Sequence, residues 1–138
     1  MTTRIFVVDD ERTIADTLAA ILRHHGYEAA PFYDAATALA ACEAATPNLL
    51  ISDVVMPQCS GIDLAIQIKE HWPACRILLF SGHAGTVDLL KEARQLGHTF
   101  EILSKPIHPK DLLAKLEVEM TAPPASIPKP SAASELRR

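Results

Sequence analysis

The chain has 138 residues, of which 49% are hydrophobic and 22% are charged, and its formal net charge is −4 at pH 7. This length allows one sizeable hydrophobic core, and the composition excludes a disordered chain and a chain embedded in a membrane. The negative charge and an aromatic content of 5% exclude the basic, base-stacking surface that direct binding to nucleic acid requires.

The first part of the chain alternates a short apolar run with a helical pattern. Residues 5–8 form a compact apolar run that predicts a strand, and apolar side chains recur at helical spacing over residues 12–25. A second strand is predicted to start near Tyr27 and to end at Phe32. Asp34 can then cap an alanine-rich helix that runs to about residue 44.

The middle of the chain repeats the same alternation. The apolar residues 49–51 predict a third strand, and this strand leads into Asp53. A helix is predicted over residues 61–72 because Pro73 follows it and cannot continue it. Residues 76–80 predict the fourth strand.

The last predicted elements complete a repeating strand and helix pattern. A helix is predicted over residues 86–96, a strand over 100–103 and an amphipathic helix over 109–120. The strands are continuous apolar runs, which is typical of a parallel sheet that is buried on both faces. The sequence therefore predicts an α/β fold with a doubly wound, five-stranded parallel sheet and helices on both faces.

Residues 121–138 differ in composition from the rest of the chain. Prolines alternate there with alanine and serine, and such a segment buries too little apolar surface to offset chain entropy. We therefore expect one folded domain over residues 1–120 and a disordered tail over residues 121–138.

The sequence also carries signals about location and redox state. No apolar run approaches the roughly 20 residues that span a bilayer, and a signal-peptide pattern is missing, so we expect a cytoplasmic protein without membrane insertion. Cys42, Cys59 and Cys75 include no CxxC pair, which predicts reduced thiols and neither a disulfide nor a zinc site.

Polar side chains follow several of the predicted strands at the point where each strand ends. Asp9 and Asp10 follow the first strand, Asp53 the third, Ser81 the fourth and Lys105 the fifth. Ligands of open parallel sheets bind beyond the carboxyl ends of the strands, so we expect these side chains to share one crevice.

Three carboxylates in one crevice would repel one another and would acquire raised pKa values unless a cation neutralised them. Mg²⁺ prefers oxygen ligands and keeps positions open for a phosphate oxygen, so Asp9, Asp10 and Asp53 predict a magnesium site. Lys105 and Ser81 can hold further phosphate oxygens. Asp53 is then placed to attack phosphorus and form an aspartyl phosphate, without a separate general base.

These residues, in this order, resemble the receiver domain of two-component response regulators over about residues 4–120. The pieces that carry the resemblance are VVDDE (residues 7–11), DVVMPQCSGID (53–63), SGH (81–83) and SKP (104–106). The resemblance implies a flavodoxin-like sheet with the strand order 2-1-3-4-5.

The resemblance also implies a role for each site residue. Asp53 is the implied phosphoacceptor, Asp9 and Asp10 are metal ligands, with Asp9 able to act through a water, and the backbone carbonyl of Val55 is a further ligand. Ser81 and Lys105 are the implied switch pair. A cis peptide bond before Pro106 is usual in this family.

Partners follow from the same resemblance. The implied donor is a sensor histidine kinase or a histidine phosphotransfer protein, and the implied output is a changed affinity for an unknown downstream protein. The chain would then be a phosphoacceptor in phosphorelay signalling, with slow autodephosphorylation at most, and not an enzyme. Two alternatives stay open, namely a Mg²⁺-dependent phosphohydrolase and a phosphorylation-independent scaffold.

The sequence departs from the family pattern at two places. Receivers often have an aromatic residue three positions before the lysine, but Ile102 stands here, and the nearest aromatic residue is Phe100. At the rim of the crevice stands Val55, which cannot orient water. We therefore expect the lifetime of the phosphoryl group to depend on His83 or on a separate phosphatase.

Overall fold

The computed structural model describes residues 3–56, 60–82, 86–97, 100–105 and 108–121, and strands alternate with helices through them. The strands are β1 (Arg4–Val8), β2 (Glu28–Phe32), β3 (Leu49–Asp53), β4 (Arg76–Ser81) and β5 (Glu101–Ser104). The helices are α1 (Arg12–His24), α2 (Ala35–Ala44), α3 (Gly61–His71), α4 (Thr86–Gln95) and α5 (Pro109–Thr121).

The strands form one parallel sheet in the order β2-β1-β3-β4-β5. This arrangement confirms the predicted fold class and strand order. The strand order reverses between β1 and β3, and a crevice opens at such a point beyond the carboxyl ends of the strands. The topology therefore locates a binding site there before any side chain is considered.

Successive residues of each strand point to opposite faces of the sheet and feed two separate cores. On β1, Ile5 and Val7 belong to one core, and Phe6 and Val8 belong to the other. We call the first the α1/α5 core, because α1 and α5 cover it, and the second the α2/α3/α4 core. Burial on both faces explains why the strands are apolar runs and not alternating patterns.

The buried helix residues of the two cores fall on the expected faces. In the α1/α5 core they are Ala15, Leu18, Ala19, Leu22, Leu112 and Leu116. In the α2/α3/α4 core they are Ala38, Cys42, Ile62, Leu64, Ala65, Ile68 and Ala93.

The helix ends follow local sequence signals. The carboxylate of Asp34 accepts a hydrogen bond from the backbone N–H of Thr37 at 2.8 Å, which confirms the predicted cap of α2. Gly26 and Gly97 lie just past α1 and α4 with φ values of 92° and 94°, a region that favours glycine. Most predicted element boundaries lie within two residues of those observed.

The last helix, α5, ends at Thr121, one residue after its predicted end at Met120. Residues 122–138 of the predicted tail lie outside the described residues. The division into a domain and a disordered tail stays a prediction.

Two of the three cysteines lie inside the α2/α3/α4 core as free thiols. Burial raises the pKa of Cys42 to about 11 and that of Cys75 to about 12, so both are neutral at physiological pH. Cys59 lies outside the described residues. Among the described helices, none is both long enough and apolar enough for a membrane span.

Candidate functional site

The carboxyl edge of the sheet collects the side chains that the sequence singled out. Asp9 directly follows β1, Asp53 ends β3, Ser81 ends β4 and Lys105 directly follows β5. Parallel pairing carries these positions to the same level, since Asp53 is in register with Phe80, the residue before Ser81. The structure therefore brings together residues that are far apart in the sequence.

Three carboxylates form the centre of the site. Asp9, Asp10 and Asp53 each offer an oxygen, and these oxygens all lie within 4.8 Å of one another. Asp9 and Asp53 are 0% and 3% exposed, whereas Asp10 lies on the surface. The cluster thus has a buried side against the sheet and an open side toward solvent.

Lys105 supplies the positive charge that faces this cluster. Its Nζ lies 3.5 Å from Asp9 Oδ2 and 3.4 Å from Asp53 Oδ1, and its side chain is only 20% exposed. The contact with Asp53 is an ion pair, and the buried Oδ1 accepts no hydrogen bond from the described residues. One ammonium group therefore serves two buried carboxylates.

The electrostatics of the site reflect this shortage of positive charge. Burial raises the pKa of Asp53, and Lys105 opposes that rise. Burial also raises the pKa of Asp9, and the charge of Asp53 raises it further. A hydrogen bond from the backbone of Glu11 and the charge of Lys105 lower the pKa of Asp9. Both carboxylates would be stabilised by a further cation.

The donor set fits a hard divalent ion. Carboxylate oxygens are the ligands that Mg²⁺ prefers, and the cluster combines three of them with an orphaned buried oxygen on Asp53. No soft sulfur or imidazole ligand belongs to this cluster among the described residues. The residues present are thus compatible with Mg²⁺.

The backbone of Asp9 is held by its neighbours. The N–H of Asp9 donates to the carbonyl of Phe32 at 3.0 Å, and the N–H of Glu11 donates to Asp9 Oδ1 at 2.9 Å. These bonds tie the loop after β1 to the end of β2 and aim the buried carboxylate at the cluster.

The backbone of Asp53 is held more tightly. The hydroxyl of Ser52 donates to the carbonyl of Asp53 at 2.9 Å, and the N–H of Gly61 donates to the carbonyl of Val54 at 2.7 Å. A Cβ at Gly61 would lie 2.0 Å from the carbonyl oxygen of Asp53. Only glycine allows α3 to start this close to the end of β3.

Ser81 and Lys105 are linked through their backbones. The N–H of Lys105 donates to the carbonyl of Ser81 at 3.0 Å, and Ser81 is 7% exposed. The end of β4 therefore fixes the point from which the Lys105 side chain leaves. The two residues of the predicted switch pair lie side by side, although their role as a switch stays a prediction.

For the other residues named from the sequence, the structure gives exposure and packing but no role in the site. Val55 is 41% exposed, and the role of its carbonyl as a metal ligand stays a prediction. Phe100 and Ile102 are both half-buried and pack against the α2/α3/α4 core. His83 and Pro106 lie outside the described residues.

Sequence reasoning missed two residues that shape the site. Gly61 stood in a quoted motif, but no role was derived for it, because its contact with Asp53 depends on the angle between β3 and α3. Phe80 is fully buried in β4, and its ring centroid lies 5.0 Å from Lys105 Nζ. An aromatic residue just before a polar strand end was the only available signal, and it is typical of ordinary core residues.

Comparison with known proteins agrees with this geometry. Residues 5–117 match the family described as the response regulator receiver domain. The regulatory protein VanRc of Enterococcus gallinarum is 31% identical over 121 residues, which cover 87% of this chain and 51% of VanRc. The DNA-binding transcriptional regulator NtrC of Azospirillum brasilense is 33% identical over 126 residues, 90% of this chain and 26% of NtrC.

The fold is also similar to solved structures. A response regulator receiver domain protein from Methanospirillum hungatei, described as CheY-like, superimposes with a TM-score of 0.78 at 27% identity, covering 87% of this chain and 94% of that one. In contrast, the chain spans about half the length of VanRc and about a quarter of NtrC. The similarity therefore concerns the receiver portion of those regulators.

Proposed function

The chain belongs to the receiver domain family of two-component response regulators, and from this premise we propose that Asp53 is its phosphoacceptor. The observation that carries the proposal is Asp53 Oδ1, a buried carboxylate oxygen without a hydrogen-bond donor among the described residues, 3.4 Å from Lys105 Nζ. An oxygen in this state retains its lone pairs for an incoming electrophile. Family membership and this geometry support the same residue independently.

The proposed reaction needs few groups. An oxygen of the Asp53 carboxylate attacks phosphorus, the bond from phosphorus to the donor atom breaks, and the donor leaves with the electron pair and takes a proton from solvent. The nucleophile is already ionised when a cation balances its charge, so no separate base is required. The product is an aspartyl phosphate.

We further propose that Asp9, Asp10 and Asp53 hold Mg²⁺, together with the backbone carbonyl of Val55. When bound there, the ion supplies positive charge beside the oxygens of the incoming phosphoryl group. Asp10 is the exposed member of the cluster and provides a route for the ion from solvent. Asp9 lies deepest and is oriented by Glu11, which suits a ligand that acts directly or through a water.

Lys105 and Ser81 complete the proposed site. Lys105 is a compact point charge on a flexible stem, so its ammonium group can shift from the carboxylates to a phosphoryl oxygen. The hydroxyl of Ser81 can then donate to another phosphoryl oxygen. Because the backbones of the two residues are bonded, movement of either is transmitted to β4 and β5.

The proposed partners are a sensor histidine kinase or a histidine phosphotransfer protein as donor, and a downstream protein whose affinity changes on phosphorylation. Receiver domains are signalling phosphoacceptors and generally not catalytic enzymes, so no steady turnover is proposed here. A cytoplasmic location stays a prediction.

A groove beside the site supports docking of a donor protein. It has a volume of about 300 Å³, and its wall is predominantly apolar. Its lining residues are Thr13, Ile14, Thr17, Leu18, Ile21, Lys105 and Pro109. Since Lys105 belongs both to the groove and to the site, a protein seated on α1 would lie next to Asp53.

The test is phosphorylation by a small phosphodonor, followed by measurement of intact mass. Wild-type protein with Mg²⁺ should gain one phosphoryl group, and the gain should vanish without Mg²⁺ or in Asp53→Asn. Asp111→Asn is the matched control, because it removes an exposed carboxylate from the start of α5 and should leave the adduct unchanged.

The same experiment separates the alternatives. Consumption of the donor without an adduct would favour the Mg²⁺-dependent phosphohydrolase. Neither adduct nor consumption, with small donors and with phosphorylated donor proteins, would favour the phosphorylation-independent scaffold. An adduct that persists in Asp53→Asn would overturn the assignment of the phosphoacceptor.

A further inference from the structure

We propose that Phe80 is a positioning residue for Lys105, whose ammonium group it holds over the acidic cluster through a cation–π contact. The inference rests on the proposed function, because the site that Lys105 serves is the proposed phosphoryl-transfer site. The Phe80 side chain is assigned no contact with the phosphoryl group and no role as a ligand to the metal. It acts through Lys105.

The position of the ring supports this role. Phe80 lies on β4 in register with Asp53 of β3 on one side and with Leu103 of β5 on the other. Its ring centroid lies 5.0 Å from Lys105 Nζ, within the roughly 6 Å over which an aromatic face attracts a cation. The ammonium group therefore contacts both the ring and two carboxylates.

The ring is a fixed support because it is fully buried. Phe80 is 0% exposed and belongs to the α1/α5 core, which also contains Ile5, Ile51 and Leu112. Close packing leaves such a side chain few alternative rotamers. A cation–π contact is also stronger at a desolvated ammonium, and the Lys105 side chain is only 20% exposed.

The remaining contacts of Lys105 with described residues lie close to its backbone. Its N–H donates to the carbonyl of Ser81 at 3.0 Å, and Gly82 lies close to its Cβ. Beyond Cβ the lysine stem is flexible, and among the described residues its ammonium group contacts the two carboxylates and the ring. The ring thus supplies the positioning that the backbone contacts cannot provide.

An uncharged support has a specific advantage at this site. The ammonium group has to exchange a carboxylate oxygen for a phosphoryl oxygen during the proposed transfer. A third carboxylate would compete with the phosphoryl group for the cation, whereas a ring has no formal charge and restricts position without neutralising it. Phe80 therefore should affect the rate constant of transfer more than the binding of the donor.

The test replaces Phe80 with phenylalanine analogues that carry one, two or three ring fluorines. Fluorine withdraws charge from the ring face but largely preserves its shape, so packing stays nearly constant while the cation–π attraction falls. Phe6 is the matched control, because it is 5% exposed, lies in the other core and pairs with the ring of Phe32 at 4.7 Å. Phe80→Leu provides the end point of the series.

Two readouts are measured on each variant. The first is the ¹⁵N order parameter of the Lys105 ammonium group without donor, which should fall stepwise with each fluorine at position 80 and stay constant with fluorine at position 6. The second is phosphorylation by a small donor. Its maximal rate constant should fall in the same order, reaching about three- to tenfold in Phe80→Leu, while the half-saturating donor concentration changes less than about twofold.

The readouts keep the inference separate from the proposed function. An order parameter that does not change across the series at position 80 would overturn the role of Phe80, whatever the phosphorylation rates. If wild-type protein accepts no phosphoryl group, the proposed function fails, and the order parameter still decides whether Phe80 positions Lys105. Equal unfolding midpoints across the fluorinated variants would exclude a loss of folding as the cause.

Discussion

The strands β3 and β5 both deliver a charged residue to the site, but they hold it in different ways. All five residues of β3 are buried, and the strand is paired on both sides. In contrast, β5 pairs only with β4 among the described strands, and its burial pattern has exposed residues at both ends. Asp53, the proposed nucleophile, thus lies on the most enclosed of the described strands, whereas Lys105 follows an edge strand.

This difference separates two requirements of the proposed reaction. The Asp53 carboxylate has to stay in place, and Ser52, Gly61 and the paired strands fix its backbone. The Lys105 ammonium group has to move by a small distance, and it stands on a flexible stem above a single rigid ring. A change near Asp53 should therefore destabilise the whole fold, whereas a similar change near β5 should have a smaller effect.

The largest expected effect is that of Gly61→Ala. The added methyl group would lie 2.0 Å from the carbonyl oxygen of Asp53, so either β3 or the start of α3 must move. We expect a loss of about 4 kcal/mol or more in the free energy of unfolding, measured by chemical denaturation. Gly97→Ala is the control before β5. It meets no atom within 4 Å, and its cost of about 1–2 kcal/mol comes only from its φ of 94°.

A similar loss of unfolding free energy in Gly61→Ala and Gly97→Ala would show that the contact with Asp53 relaxes easily. It would also contradict the idea that β3 tolerates changes less well than β5.

The second prediction compares two isoleucines on these strands. Ile51 on β3 is 0% exposed, and Ile51→Ala should lower the free energy of unfolding by about 3–4 kcal/mol. Ile102 on β5 is only partly buried, so Ile102→Ala should cost about 1–2 kcal/mol. Urea denaturation of both variants measures the difference directly. A larger loss at Ile102 would contradict the idea that β5 contributes less to the core.

The same contrast explains which parts of the protein could be predicted from the sequence. The strands were recognisable as uninterrupted apolar runs, because both faces of the sheet are covered. The acidic pair, Asp53, Ser81 and Lys105 could be placed together, because parallel strands bring their carboxyl ends to one edge. These inferences depend on the pattern of apolar residues and on the order of strands and helices, and both can be recognised in the sequence.

The supports of the site could not be predicted in this way. The closeness of Gly61 to Asp53 depends on how α3 leaves β3, and the position of Phe80 under Lys105 depends on the register of three strands. Neither leaves a periodic signal. Nor could the sequence assign an aromatic switch residue, and in the structure Phe100, which precedes β5, and Ile102 on β5 are both half-buried against the same core.

The smallest expected effect is a gain in stability, from Asp53→Asn. Burial raises the pKa of Asp53 above its usual 3.8, so the folded chain holds this proton more tightly than the unfolded chain does. The wild-type protein therefore loses stability as pH rises from about 4 through the folded pKa, whereas the variant has no such loss. At pH 7 without divalent ions, Asp53→Asn should be more stable by about 1 kcal/mol, and the gain should shrink toward pH 4.

Asp34 provides a control of opposite sign at an exposed helix cap. The hydrogen bond from the backbone N–H of Thr37 lowers the pKa of Asp34, so its contribution is present above about pH 4 and is lost as pH falls. Asp34→Ala should thus cost about 1 kcal/mol at pH 7 and less at lower pH.

Adding Mg²⁺ should stabilise the wild type more than Asp53→Asn. The reason is that an ion bound to the folded state would offset the free-energy cost of burying the Asp53 carboxylate on β3. Suppose instead that Asp53→Asn is less stable than the wild type at pH 7 without Mg²⁺. Lys105 alone would then neutralise the Asp53 carboxylate, and β5 would contribute more to the site than its exposure implies.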